Sequence, residues 1–273
     1  MVRLAVSSMF FHEYTLDEIF DFVAEAGLDT LEFWVETPDF WLRGQPLPEL
    51  ISCLSSRPAL HPLTMHAPIL DLNPCSINPR VAEASVEYTL ASLMMAERIG
   101  AEVLTVHPGR RTAKRPPGAA DFRRFDHYLS LLKSAALKTG VQVSIENMEK
   151  KVNSLLCTPE AVREILDREP WLSFTLDVSH ALGVSLGEVK AYIDLCGERL
   201  GNVHLSGANG GTMHLPIENN PDIITILHLL SDAGYQGVIT FEFEDRNFNH
   251  DLSSEEKILF LARQAAVVRE SLV

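Results

Sequence analysis

The sequence predicts an α/β protein, a single (β/α)8 TIM barrel running from residue 1 to residue 273, and three observations carry that prediction. Eight short apolar or β-branched runs alternate with segments whose apolar residues recur at helical spacing. Glycine falls at the end of four helical segments, just before the next strand-like run. After the first strand the chain reads "SSMFFHEY", without a glycine, whereas a doubly wound open sheet usually builds a glycine-rich phosphate turn there. Eight βα units in about 250 residues fit a closed barrel, with helices covering the parallel strands.

Taken in order, the first strand is "RLAVSS" (3–8). The helix "TLDEIFDFVAEAG" (15–27) follows, with Thr15 as N-cap, Glu18 three residues on and Gly27 at its end. The second strand is "TLEFWV" (30–35) and the third "LTMHA" (63–67). A long helical segment, "RVAEASVEYTLASLMMAERIG" (80–100), closes on Gly100 and leads into the fourth strand, "EVLTVH" (102–107). The stretch "KRPPGAA" (114–120) reads as an exposed loop. Gly140 precedes the fifth strand, "VQVSIE" (141–146), and Thr158 with Pro159 marks a helix start before the sixth, "LSFTLD" (172–177). The seventh is "GNVHLS" (201–206); "DIITILHLLSDAG" (222–234) then ends on Gly234 and delivers the eighth, "GVITFEFE" (237–244). No low-complexity tract or linker interrupts the series, so one domain is expected.

Composition narrows the function. A hydrophobic content of 46% is ample for a core. The formal charge of −14 opposes attraction to a nucleic-acid backbone, so the expected partner is a small, anionic molecule rather than nucleic acid. Cys53, Cys75, Cys157 and Cys196 form no Cys-x-x-Cys pair, which removes zinc knuckles and dithiol redox motifs. No apolar run approaches the roughly 18 residues of a membrane span, and "MVRLAVSSMFFHEY" lacks the features of a signal peptide. The expectation is a soluble, cytoplasmic protein.

Active sites of such barrels lie at the C-terminal ends of the strands. There the sequence places His66, His107, Glu146, Asp177 with His180 beyond it, His204 and Glu242, and His214 follows in the loop after the seventh strand. Six consecutive strands deliver imidazoles and carboxylates to one rim. Crowding such groups away from water is costly unless a divalent cation binds them. Histidine and carboxylate donors without thiolate suit zinc or manganese, with iron as an alternative. His61, His127 and His228 fall in or beside helices or before a strand and read as surface or packing residues. His12 and His250 follow the first and last strands and are candidates to line the pocket.

The same rim is basic on one side. "HPGRRTAKRPPG" supplies Arg110, Arg111, Lys114 and Arg115, and "ENMEKK" adds Lys150 and Lys151. These side chains are candidates to hold a phosphate. The rim aromatics Phe10, Phe11, Trp34, Phe40 and Trp41 are candidates to pack on a sugar or a base, or simply to fill the core. The substrate-binding set is therefore Arg110, Arg111, Lys114, Lys151, His12 and Trp34.

The motifs "MHAP" (65–68), "VHPG" (106–109), "IEN" (145–147), "LDVSH" (176–180), "VHL" (203–205), "HLPI" (214–217) and "FEFE" (241–244) resemble, in order, the rim motifs of the xylose isomerase-like TIM barrels. The pattern is most similar to the endonuclease IV branch (AP endonuclease family 2). That resemblance implies two or three divalent ions per chain: one on His66 and His107, Glu146 bridging to a second completed by Asp177, His204 and Glu242, and a third served by His180 and His214. Where the endonuclease pattern has a further aspartate ligand, this chain has Thr212, and after "HLPI" it reads Glu218, Asn219 and Asn220 in place of Gly-Glu-Gly. Sugar isomerases and epimerases of the superfamily are similar at Glu146, Asp177, His180, His204 and Glu242, around a single ion.

Two enzymatic expectations follow, with Glu146, Glu242 and His180 as the catalytic residues. The first is a metal-dependent phosphodiesterase acting on a small phosphodiester, such as a nucleotide conjugate or a corrinoid nucleotide loop, rather than on abasic DNA. The alternative is a sugar or sugar-phosphate isomerase or epimerase, in which Glu146 and Glu242 exchange a carbon-bound proton. A binding barrel that retains a structural metal is the non-catalytic contrast.

Overall fold

Polar and apolar side chains alternate along the strands, and that alternation decides what the barrel encloses. The computed structural model describes residues 2–61, 63–218 and 220–272. Among them the strands are β1 (Arg3–Val6), β2 (Glu32–Trp34), β3 (Thr64–His66), β4 (Val103–Val106), β5 (Gln142–Glu146), β6 (Ser173–Asp177), β7 (Leu200–Leu205), β8 (Gly207–Asn209), β9 (Thr212–Leu215) and β10 (Val238–Phe241). All but β8 and β9, which form a small antiparallel hairpin, lie in one parallel sheet of order β1-β10-β7-β6-β5-β4-β3-β2. A bridge between Ser7 and Glu32 joins its two ends, so the sheet closes into the expected (β/α)8 barrel.

The helices are α1 (Leu16–Glu25), α2 (Pro38–Leu42), α3 (Leu47–Ser55), α4 (Pro79–Ile99), α5 (Ala119–Ala136), α6 (Pro159–Arg168), α7 (Val178–Leu182), α8 (Leu186–Cys196), α9 (Pro221–Asp232) and α10 (Ser254–Ser271). No helix among the described residues is long and apolar enough to cross a membrane. The Glu18 carboxylate accepts from the backbone N–H and hydroxyl of Thr15, and the Thr158 hydroxyl accepts from Ala161 N–H, as their positions in the sequence predict. Gly27, Gly100 and Gly234 adopt left-handed φ angles of 69°, 71° and 73°. Gly140 does not: α5 stops at Ala136, and a turn over Leu137 and Lys138, closed by the Thr139 N–H on Ala136 O, ends the helix before that glycine. Residues Ala119 and Ala120, read as loop, open α5 instead.

The predicted strands overrun the observed ones by one to three residues at an end, which leaves His107 and Glu242 just past the ends of β4 and β10. Outward-facing Val143, Ile145, Phe174, Leu176, Val203, Leu205, Ile239 and Phe241 are buried beneath the helices. The intervening residues are polar and equally buried. Thr105 pairs with Thr175 at 3.0 Å, and Asn202 Nδ2 donates to Glu32 at 2.6 Å. Those partners lie on strands that are not neighbours in the sheet, so the bonds cross the barrel interior.

One irregularity aims a site residue. Phe174 pairs with Leu200, but Thr175 pairs with Asn202, so Gly201 is a bulge. Continued without that extra residue, the register would set Val203 beside Asp177 and turn His204 outward; the bulge instead pairs Asp177 with His204. A Cβ at position 201 would lie 2.6 Å from Ser173 Oγ, so the close approach requires glycine. Gly201→Ala is expected to lower stability by about 1–3 kcal/mol through overpacking. A urea unfolding curve with an unchanged midpoint would show that the bulge tolerates a side chain.

Candidate metal centre

Each strand end presents its side chain for a local reason. Asp177 ends β6 and is the N-cap of α7: Oδ1 accepts from His180 N–H at 2.7 Å, which explains the Asp-x-x-His spacing. Asn147, just after β5, accepts from Asp177 N–H at 2.8 Å and donates to Asp177 O at 3.0 Å, pinning the two strand ends together. Its own carbonyl accepts from His180 Nδ1 at 2.9 Å. His66 Nδ1 donates to Ala67 O at 2.7 Å. A carbonyl can only accept, so both imidazoles carry their proton on Nδ1 and leave Nε2 as the ligand atom.

His214 is held differently. It lies on β9 with φ of 57°, a conformation that costs a non-glycine residue about 1–2 kcal/mol. Ser179 Oγ accepts from its N–H at 3.0 Å, while Asn247 Nδ2 donates to the carbonyls of Met213 and His214 at 2.7 and 3.0 Å. These bonds set the backbone that presents the imidazole.

The eight rim residues form three connected donor groups: His66, His107 and Glu146; Glu146, Asp177, His204 and Glu242; and Asp177, His180 and His214. Within each group the ligand atoms lie within 4.8 Å of one another. Glu146 joins the first two. Its Oε2 lies 3.3 Å from His66 Nε2 and 3.0 Å from His107 Nε2, whereas Oε1 lies 3.5 Å from His180 Nδ1 and 3.8 Å from His204 Nδ1.

These residues fit a divalent cation by a test independent of their type. Asp177 Oδ2, His204 Nδ1 and Glu242 Oε2 are buried without a hydrogen-bond partner. His204 Nδ1 and Glu242 Oε2 are 3.0 Å apart yet not aligned to bond. Three orphaned atoms belong to one such close group, and a cation held among them would satisfy all of them at once.

The ionisation of the cluster is set by burial against mutual charge. Burial pushes the Glu146 carboxyl up, but the surrounding imidazoles, His107 foremost, outweigh it and hold the group well below the usual carboxylate range. Glu242 is lowered in the same way by His204. Asp177, with burial dominant, is pushed up to about 6. Burial acts downward on His66, His107, His180 and His204; it wins at His107, while Glu146 reverses it at His66, Asp177 at His180, and the Glu32 and Glu242 carboxylates reverse it strongly at His204.

The substrate-side candidates divide. A cavity of about 230 Å³ adjoins His107 and His180 and is lined by Arg110 and Lys151 among others. Arg110 is exposed there, and its backbone is clamped by Asn73 and bridged to Ser154. Lys151 pairs with Glu149. Arg111 instead ties its own loop, donating to Pro116 O at 2.7 Å with Asp121 at 3.6 Å, and Lys114 is exposed and does not line the cavity. Trp34 packs edge-on to His66, with ring centroids 5.5 Å apart.

His12 sits in a separate group with Glu13 and Asp245, whose carboxylates the buried Lys257 already binds at 2.7 Å. His250 pairs with Glu256 on the surface, and His61, His127 and His228 are exposed. Phe10, Phe11 and Phe40 are core residues. Thr212 is exposed on the hairpin, so the third group keeps three donors; Asn219 lies outside the described residues.

Glu32 was not among the sequence candidates. It is a charged residue inside an apolar strand run, the same anomaly that marks Glu146 and Asp177, but three residues from the strand's predicted end.

A TIM barrel with carboxylates and imidazoles gathered at its C-terminal rim defines the class. Residues 20–264 match the family described as xylose isomerase-like TIM barrel, and the chain belongs to that family. It is 32% identical over 261 residues to the uncharacterized protein MJ1188 of Methanocaldococcus jannaschii, an alignment covering 94% of this chain and 95% of that protein. Among solved structures, a D-tagatose 3-epimerase-like protein superposes with a TM-score of 0.77 at 26% identity, with 100% of both chains covered. Endonuclease IV from Thermus thermophilus superposes with a TM-score of 0.71 at 20% identity, covering 99% of this chain and 98% of that one.

Asn247→Ala is expected to relax His214 and so reduce the zinc retained per chain in equilibrium dialysis, by weakening the third donor group alone. Unchanged zinc content would mean that the imidazole is held without this clamp.

Proposed function

We propose that the protein is a metal-dependent hydrolase acting on small phosphodiesters. The observation that carries this reading is the bridging geometry of Glu146, whose two oxygens face two different donor groups. Adjacent ions held there would activate a water, polarise the phosphoryl oxygens and stabilise the leaving alkoxide. His66 and His107 would complete one ion site, and Asp177, His204 and Glu242 the other. His180 and His214 would serve a third with Asp177. Zinc or manganese suits this donor set.

The residues divide the remaining work. Arg110 and Lys151, beside the cavity, would hold the non-reacting anionic end of the substrate. Glu242 is 22% exposed and stays ionised, so it would complete its ion site on the side open to the attacking water. His180 borders the same cavity and would face the leaving group. The chain's negative charge favours a compact substrate over a nucleic-acid strand.

A sugar or sugar-phosphate epimerase is the second reading, favoured by the self-sufficient group of Glu146, Asp177, His204 and Glu242 and by the similarity to an epimerase-like protein. It asks Glu146 to exchange a carbon-bound proton. That carboxylate is only 1% exposed and faces imidazoles on both oxygens, which makes it a better bridge than a base.

Metal content and turnover separate the two. The wild-type chain, loaded with zinc or manganese, is expected to bind at least two equivalents and to hydrolyse bis-p-nitrophenyl phosphate; His107→Ala should lose one equivalent and about 100-fold or more in kcat. One equivalent, indifferent to His107→Ala, together with deuterium uptake into a ketohexose in heavy water, would overturn the hydrolase in favour of the epimerase. Arg110→Ala should raise KM about tenfold for a substrate with a second phosphate, with kcat little changed. Equal KM values would remove Arg110 from the substrate site.

A further inference from the structure

We propose that Glu32 is a positioning residue for the metal centre, fixing which nitrogen of His204 is presented to it; this rests on the metal-centre reading above. Glu32 lies on β2, inside the barrel, across from β7. Its Oε1 is 2.9 Å from His204 Nε2. The other oxygen, Oε2, accepts from Asn202 Nδ2 at 2.6 Å, from Thr64 Oγ1 at 3.0 Å and from Thr240 Oγ1 at 3.4 Å. Both His204 and Glu32 are shut off from solvent.

Oε2 is saturated with donors, so the carboxylate's remaining acceptor capacity is turned toward His204. A carboxylate oxygen cannot donate, and Nε2 must therefore carry the proton. Asn202 Nδ2 also lies 3.2 Å from Nε2 and has a second hydrogen beyond the one given to Glu32, but an Nε2 lone pair would then face the Glu32 carboxylate at 2.9 Å, so the anion holds the proton on Nε2. With Nε2 protonated, the lone pair of the metal-binding imidazole falls on Nδ1, the orphaned atom that faces Glu242 and Glu146. Were Glu32 absent, the nearest anions to His204 would lie on its Nδ1 side and would draw the proton there, blocking the ligand atom. A carboxylate on the far side of the ring reverses that preference.

This ligand therefore opposes the pattern of His66 and His180, which are protonated on Nδ1 by backbone carbonyls. His204 has no such carbonyl, and a side chain from the opposite wall takes its place.

Glu32→Gln tests the assignment with little change of volume. The donors of Asn202, Thr64 and Thr240 would select the glutamine oxygen, turning its NH2 toward His204 Nε2 and moving the imidazole proton to Nδ1. The variant is expected to bind one zinc fewer than wild type, with about 10- to 100-fold weaker affinity at that step, while its circular dichroism stays native. In wild-type protein loaded with cadmium-113, nitrogen-15 spectra should show cadmium coupled to His204 Nδ1 and a proton on Nε2. Coupling through Nε2, or a folded glutamine variant with wild-type zinc content, would overturn the role of Glu32. The cadmium measurement decides the matter even where the variant fails to fold. A wild-type chain that takes up neither zinc nor cadmium would instead remove the metal centre itself, a result distinguishable from the failure of Glu32 alone.

Discussion

Everything at the rim depends on a buried balance of charge. Glu32, Glu146, Asp177 and Glu242 meet His66, His107, His180 and His204 where nearly all of these side chains are closed to water. Removing a carboxylate or an imidazolium from water costs several kcal/mol unless each finds a partner. Here the partners are one another, and the contacts between them run through Glu146 and His204. The balance is incomplete, because three donor atoms remain without a bond. That shortfall, more than the presence of histidines, marks the centre as a candidate cation site.

The scaffold bears this strain through its polar interior. Instead of stacked aliphatic layers, the space beneath the centre holds Thr64, Thr105, Ser144, Thr175, Asn202 and Thr240, linked to Glu32 and to each other. Such a network is rigid when every member is satisfied. The apolar core is displaced to the outer faces of the strands, under the helices, where it can be continuous without interrupting the network. A parallel barrel thus separates two solvents: hydrocarbon outside the strands and a hydrogen-bonded interior within.

The fold leaves the chemistry open, and the structures it resembles include both an epimerase-like protein and an endonuclease. In this chain His66 and His107 lie against one oxygen of Glu146, while His180 and His204 face the other. A carboxylate gripped on both oxygens is suited to holding charge apart. Arg110, clamped through its backbone by Asn73 and without a side-chain partner among the described residues, adds a positive charge to an acidic molecule beside that centre.

By itself the sequence determined the barrel, because helical spacing, capping residues and eight strand-like runs are local signals that neighbours in the chain create. It also located the rim set, since His66, His107, Glu146, Asp177, His204 and Glu242 each fall within two residues of the end of a strand-like run, and strand ends in a parallel barrel all point to one face. The tertiary structure alone decided which donors share an ion site, for that depends on distances between strands. It decided that His204 faces inward, through a bulge at Gly201 whose presence no local pattern reveals. It separated His12 from the centre, because Lys257, 244 residues from Glu13 in the chain, binds the carboxylates around that histidine. And it gave Glu32 a partner across the barrel, an interaction invisible to any reading of spacing because its two residues are brought together only by closure of the sheet.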